Sequence, residues 1–85
     1  MKIKQLENGT FVGDFQGLYG TSMDLMLKRF ILKLNKDDIA EIILDDSFTY
    51  ENLIMLMNDL GCEILQNKLN NGTFSIKFRR SITHS

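Results

Sequence analysis

The stretch Gly17-Leu18-Tyr19-Gly20-Thr21-Ser22-Met23-Asp24-Leu25-Met26-Leu27-Lys28 constrains the fold more than any other part of the chain. Gly17 and Gly20 free the backbone for a sharp turn. Thr21 or Ser22 is then placed to cap a helix, and Thr21-x-x-Asp24 is close to a capping box, with Asp in place of Glu or Gln. Met23, Met26, Leu27, Phe30 and Leu34 recur at helical spacing on one face, which predicts a helix over 22–34. Thr10 to Phe15 precedes the turn as a strand, with Phe11 and Phe15 on one side. The stretch is therefore a strand-to-helix junction. The first amides of such a helix point outward with partial positive charge, a place that favours an anion or a thiolate.

The rest of the chain follows from this unit. Asn35-Lys36-Asp37-Asp38 is a polar turn, and Ile39-Ala40-Glu41-Ile42-Ile43-Leu44 is a near-continuous apolar run expected inside a sheet. Two strands joined through a helix lie parallel with a right-handed crossover. Asp46 or Ser47 caps a second helix to about Leu60, with Leu53, Leu56, Met57 and Leu60 as its stripe and Gly61 at C′. Cys62–Leu69 and Thr73–Arg79 flank Asn71-Gly72, which predicts a closing hairpin in which Leu69 faces Phe74 and Leu65 faces Phe78. Phe74, Ile76 and Phe78 then point to the core. Asn8-Gly9 is also a preferred pair for a two-residue turn, so residues 1–9 are either a loose lead-in or a short extra strand paired with Thr10–Phe15. Residues 80–85 read as a flexible tail.

The expected architecture is α/β (α+β): a two-layer βαβαββ sandwich, two helices on one face of a four-stranded mixed sheet, in a single domain over 1–85. At 85 residues, 44% hydrophobic and 25% charged, the composition is that of an ordinary globular domain. Ten basic and eleven acidic side chains leave a net charge of −1, so no field favours nucleic acid. The apolar runs fall far short of a membrane span, and Met1-Lys2-Ile3-Lys4 does not open a signal peptide. A single cysteine excludes an internal disulfide and fits a reducing, cytoplasmic location.

Asp14-x-x-Gly17-Leu18, the helix start and Lys28 together resemble the opening of the TusA/SirA sulfur-carrier family, where Asp-x-x-Gly-Leu-x-Cys-Pro-x-Pro leads into a helix. Ile43-Leu44-Asp45-Asp46 is similar to that family's second strand, which ends in paired aspartates. Leu60-Gly61, the Asn71-Gly72 turn and Phe74-Ser75-Ile76-Lys77 follow in the family's order, so the resemblance spans Asp14 to Arg80. It implies the βαβαββ fold and a cytoplasmic sulfur-relay setting. The departure is chemical. Gly20 stands where the family has its sulfur-carrying Cys, Thr21 and Met23 stand where it has prolines, and the chain contains no proline. A Cys at a helix N-terminus is reactive because amides and dipole stabilise its thiolate, and glycine supplies no nucleophile.

The remaining candidates are few. Cys62 is the only thiol; it lies after the second helix, where the dipole disfavours a thiolate, and reads either as an alternative sulfur carrier or as a small half-buried hydrophobe. Gly20, Thr21 and Ser22 read either as a small-anion site or as plain helix capping. Asp45 and Asp46 are explained by capping, and His84 is a solvated tail residue; no metal site and no cofactor are expected. Lys28, Arg29, Lys33 and Lys36 lie on or near one side of the first helix, a solvated face or, by the resemblance, a partner-docking face. Leu25 and Leu32 on the first helix, and Ile54 and Met55 on the second, lie off the main stripes and read either as a contact surface or as wide core stripes. The expected activity is that of a non-catalytic interaction or regulatory module whose partner is another protein, which the resemblance places in a sulfur relay.

Overall fold

A computed structural model describes residues 2–81. It contains β1 (Lys2–Gln5), β2 (Phe11–Asp14), α1 (Thr21–Leu32), β3 (Ile39–Leu44), α2 (Ser47–Asp59), β4 (Cys62–Asn70) and β5 (Thr73–Arg80). The five strands form one mixed sheet in the order β1-β2-β3-β5-β4. The class is α+β as expected, but the sheet has five strands rather than four. Residues 2–5 are the fifth, pairing antiparallel with β2 from Lys2↔Asp14 to Gln5↔Phe11.

β2 and β3 are parallel, and β3 and β4 both run antiparallel to β5. Each helix therefore connects parallel strands, and both helices return against the strand direction. They consequently run in the same sense in one layer. Phe11, Gly13 and Phe15 face that layer, and the ring of Phe15 meets Phe30 of α1 edge-on at 5.7 Å. β3 is central, as its apolar run predicts. Only one of its faces is covered: Ala40, Ile42 and Leu44 are fully buried, whereas Ile39, Glu41 and Ile43 on the helix-free face are half-buried.

The stripe of α1 buries Met23, Leu27, Phe30 and Ile31, with Leu34 just beyond the helix. Ile31 joins the expected set and Met26 is only partly buried. α2 buries Leu53 and Met57, with Leu56, Leu60 and Ile54 packed partly against the core, so Ile54 belongs to the core stripe. Gly61 takes the left-handed conformation that ends a helix, φ 71°. At the other end Tyr50 stacks on Phe74 at 4.4 Å and accepts a hydrogen bond from Asn67 Nδ2 of β4.

Three local expectations are corrected. Leu69 faces Phe74 as predicted, but Phe78 faces Ile64, because the register shifts between Ile64 and Gln66 and leaves Leu65 as an extra, unpaired residue. Asn71-Gly72 makes a two-residue turn with both φ values positive (52° and 80°). The first hairpin does not. Leu6 N–H donates to Thr10 O at 2.8 Å, so Glu7, Asn8 and Gly9 form a three-residue loop with Gly9 at φ 91°.

The third correction concerns the C-terminal end. Arg80 is not tail: its N–H donates to Asp38 O at 2.9 Å, and its O accepts from Asp37 N–H at 2.6 Å. Its guanidinium Nη1 reaches the carbonyls of Ile31 and Leu34, at 2.8 and 3.4 Å, at the C-terminus of α1. Ser81 donates through N–H and Oγ to Gly61 O. Residues 82–85, with His84, lie outside the described residues.

Candidate functional site

In open sheets with parallel strands, binding sites gather at the carboxyl ends of the strands, where the crossover helices begin. Here that edge is built by residues 15–22 and 45–48. The carbonyl of Gly20 closes the first turn of α1 by accepting from Met23 N–H (3.1 Å) and Asp24 N–H (3.4 Å). Gly20 is thus the N-cap, and no side chain caps this helix. The expectation that Thr21 or Ser22 serves as cap is corrected. Both lie one step too far along, inside the first turn, and are exposed.

Gly20 has φ 86° and ψ −166°. That region of backbone space is populated essentially by glycine alone. A Cβ added there meets no neighbouring atom, so the constraint is purely one of backbone conformation.

The acidic pair at the end of β3 is used structurally. Asp45 accepts from Gly17 N–H at 3.2 and 3.3 Å and from Tyr19 Oη at 3.3 Å, fastening the junction loop to the strand end. The Asp45 charge is the main reason the Tyr19 hydroxyl holds its proton more tightly than an ordinary phenol. Asp46 caps α2, accepting from Thr49 N–H at 2.9 Å and from the Thr49 hydroxyl. These bonds hold its carboxyl below the usual carboxylate range. Asp45 thereby places a carboxylate beside the very helix start where an anion would have to bind.

Cys62 lies at the opposite end of the molecule. It opens β4, pairs with Arg80, and packs partly against the core. Burial pushes its thiol up, and the Arg80 charge offsets this only in part. The sequence argument blamed the preceding helix terminus; the dominant cause is desolvation. Thiol and junction cannot act on one substrate atom.

Lys28 and Arg29 are both exposed but flank different hollows. Lys28 borders a groove of about 480 Å³ between α1 and α2, lined also by Thr21, Leu25, Asn52 and Leu56. Arg29 borders a second hollow toward β1, with Ile3 and Phe11. Between them runs an outward ridge of Leu25 and Leu32, 49% and 47% exposed. α2 presents a matching ridge of Phe48 and Met55, 70% and 65% exposed. Sequence reasoning found Leu25, Leu32 and Met55 but missed Phe48. Its signal was there, since Phe48 lies seven residues before Met55, two helical turns away on the same side.

No protein-family model matches the chain, and no curated protein is significantly similar to it. No helix among the described residues is long and apolar enough to cross a membrane.

Proposed function

We propose that this chain is a non-catalytic protein-interaction module resembling the TusA/SirA sulfur carriers, acting by docking to another protein of a sulfur relay or its regulation. The observation that carries this reading is Gly20. The position that resembles the carrier's nucleophile has no side chain, and its backbone adopts a conformation that a side-chain-bearing residue strongly disfavours. The junction is therefore committed to glycine by its geometry as well as by its sequence. Supporting it, the one thiol is at the far end, half-buried and with its proton held more tightly than usual, which lowers the thiolate fraction. What the site retains is shape: two parallel helices whose outer surfaces carry exposed apolar ridges.

The test is intact mass after incubation with a cysteine desulfurase and cysteine, comparing the wild type with Cys62→Ser. The expected result is no added sulfur on either protein. A gain of one sulfur on the wild type that disappears in Cys62→Ser would restore the alternative, a sulfur carrier acting through Cys62.

A small-anion site at Gly20, Thr21 and Ser22 is a second reading, favoured by the absence of any side-chain cap on α1. It is opposed by the Asp45 carboxylate held against Gly17 and Tyr19.

A further inference from the structure

β4 is the last strand of the sheet on one side, and its outer edge runs over nine residues, Cys62–Asn70. From Glu63 onward every residue in it is exposed, Ile64, Leu65 and Leu69 included. A long edge without proline is a template for another strand. The direction of its amides follows from its pairing with β5. At one end Gly61 O accepts from Ser81 N–H, and Arg80, opposite Cys62, uses its N–H and C=O on the β3 side. Gly61 and Glu63 therefore point inward, and Cys62 and Ile64 point to the open edge. At the other end the two-residue turn makes Asn70 and Thr73 a hydrogen-bonded pair, so Gln66 and Lys68 point inward and Asn67 and Leu69 outward.

The bulge at Leu65 decides what such an edge can pair with. In an unbroken strand, residues five apart lie on opposite faces. Here the extra residue brings Glu63 and Lys68 onto one face, the helix-free one, where they lie opposite Arg79 and Ser75. By the same shift Cys62, Ile64, Asn67 and Leu69 all lie on the helix side, opposite Arg80, Phe78, Ile76 and Phe74. The edge is thereby self-complementary about its middle. A second copy running antiparallel sets Cys62 against Leu69, Glu63 against Lys68 and Ile64 against Asn67. Each of these pairs shares a face and a direction of amides. Glu63 and Lys68 are the only charged residues of β4, and this register joins them twice, once on each side of the two-fold axis. One strand further in stand Arg79, paired with Glu63 at 3.5 Å, and Lys77, which lies opposite Glu41 of β3. Any other register separates Glu63 from Lys68, and one centred on Lys68 sets that residue against itself.

We infer that the protein forms a two-fold dimer by pairing β4 with β4 of a second copy. The mixed sheet then continues across both molecules, with the helices of both on one face. The occupant is a second copy because the two halves of this strand match each other in charge and in facing, a match that an unrelated strand has no reason to carry. Leu69, 65% exposed, comes to lie against Cys62 of the second copy, and Leu65 meets Gln66 beside the axis. The opposite edge does not compete. β1 has only four residues, and pairing about its middle opposes Lys2 to Lys4. Assembly therefore closes at two. The contact lies at the sheet edge and leaves the Leu25/Leu32 and Phe48/Met55 ridges uncovered, so it stands or falls apart from the docking reading.

The test is sedimentation equilibrium of the full chain, joined to amide hydrogen exchange followed by NMR. Wild type is expected to dimerise below about 1 mM. As concentration rises through the transition, exchange slows at the outward amides of Ile64, Asn67 and Leu69 and changes little at Glu63 and Lys68, which already bond to β5. Glu63→Lys and Lys68→Glu each bring like charges together twice, so each raises the dimer dissociation constant about tenfold. Mixed in equal amounts, the two variants regain opposite charges at both places and form a heterodimer. The double variant Glu63→Lys/Lys68→Glu likewise regains the homodimer. Both positions are exposed, so far-ultraviolet circular dichroism serves as the folding control. A wild type that stays monomeric up to about 1 mM overturns the inference. So does a dimer whose Asn67 and Leu69 amides exchange as fast as in the monomer, or a mixture of folded variants that does not recover.

Discussion

Replacing Arg80 by Met isolates one long-range tie between the last strand and the first helix. Its guanidinium donates to Ile31 O at 2.8 Å and, more weakly, to Leu34 O at 3.4 Å, so a side chain remote in sequence caps the C-terminus of α1. A hydrogen bond from a charged donor contributes about 1.5–3 kcal/mol net, and a cation at a helix C-terminus about 0.3–1 kcal/mol. Against these, Nε of Arg80 is buried without a partner, and removing it returns about 1 kcal/mol. The balance is a loss of about 1–3 kcal/mol, or roughly 4–20 °C in Tm for a domain of this size.

Urea unfolding followed by circular dichroism measures that loss as a fall in midpoint at constant slope. Arg79 is the internal control. It lies on the opposite, helix-free face and makes only an exposed ion pair with Glu63 at 3.5 Å, so Arg79→Met costs under about 0.5 kcal/mol. Equal effects at the two arginines would refute the capping role. A second readout separates charge from fraying. The Arg80 charge partly offsets the burial that raises the Cys62 thiol, so its loss slows Cys62 alkylation at fixed pH. Faster alkylation would mean that the β4–β5 end had opened instead.

Two further predictions concern the strand–helix junctions. Gly13→Ala puts a Cβ 2.6 Å from Phe15 Cε1 and 3.3 Å from Phe30 Cζ, inside an aromatic pair with no slack; after the Gly→Ala gain in the unfolded chain is subtracted, overpacking costs about 1–2 kcal/mol, relieved in a Phe15→Leu background. Thermal melts of the four proteins decide it, and an unchanged or raised Tm for the single variant refutes it. Asp46→Ala removes the α2 cap and lowers Tm by about 4 °C at pH 7. Because the folded carboxyl titrates below its unfolded value, the wild-type advantage is fully present above about pH 4 and disappears as pH falls through the folded pKa. A gap that persists unchanged to pH 2 would refute the assignment.

Much of this fold was legible because periodicity reports burial directly. The core stripes of both helices, the central place of Ile39–Leu44 and the inward side of β5 follow from spacing alone. What failed to read was anything decided by one residue of offset. Asn8-Gly9 and Asn71-Gly72 are the same dipeptide, yet one sits inside a three-residue loop and the other is the whole turn. The difference lies in which flanking residues pair, which a dipeptide does not encode. Leu65 likewise has no local mark of a bulge, and it moves the partner of Phe78 from Leu65 to Ile64. Arg80 looked like the start of a tail because its role depends on a carbonyl 49 residues away.

The candidate site was legible in a different sense, through what is missing from it. The paired aspartates and the glycines of the junction are present, and each has a definite task. Asp45 holds Gly17 and Tyr19, Asp46 caps α2, and Gly20 turns the chain into α1. An edge whose carboxylates accept from backbone amides holds the two helix starts in fixed register. On the docking reading proposed above, the latch at the strand ends and the exposed ridges above it are parts of one device, and loosening the latch at Asp45 is expected to weaken docking before it disturbs the core.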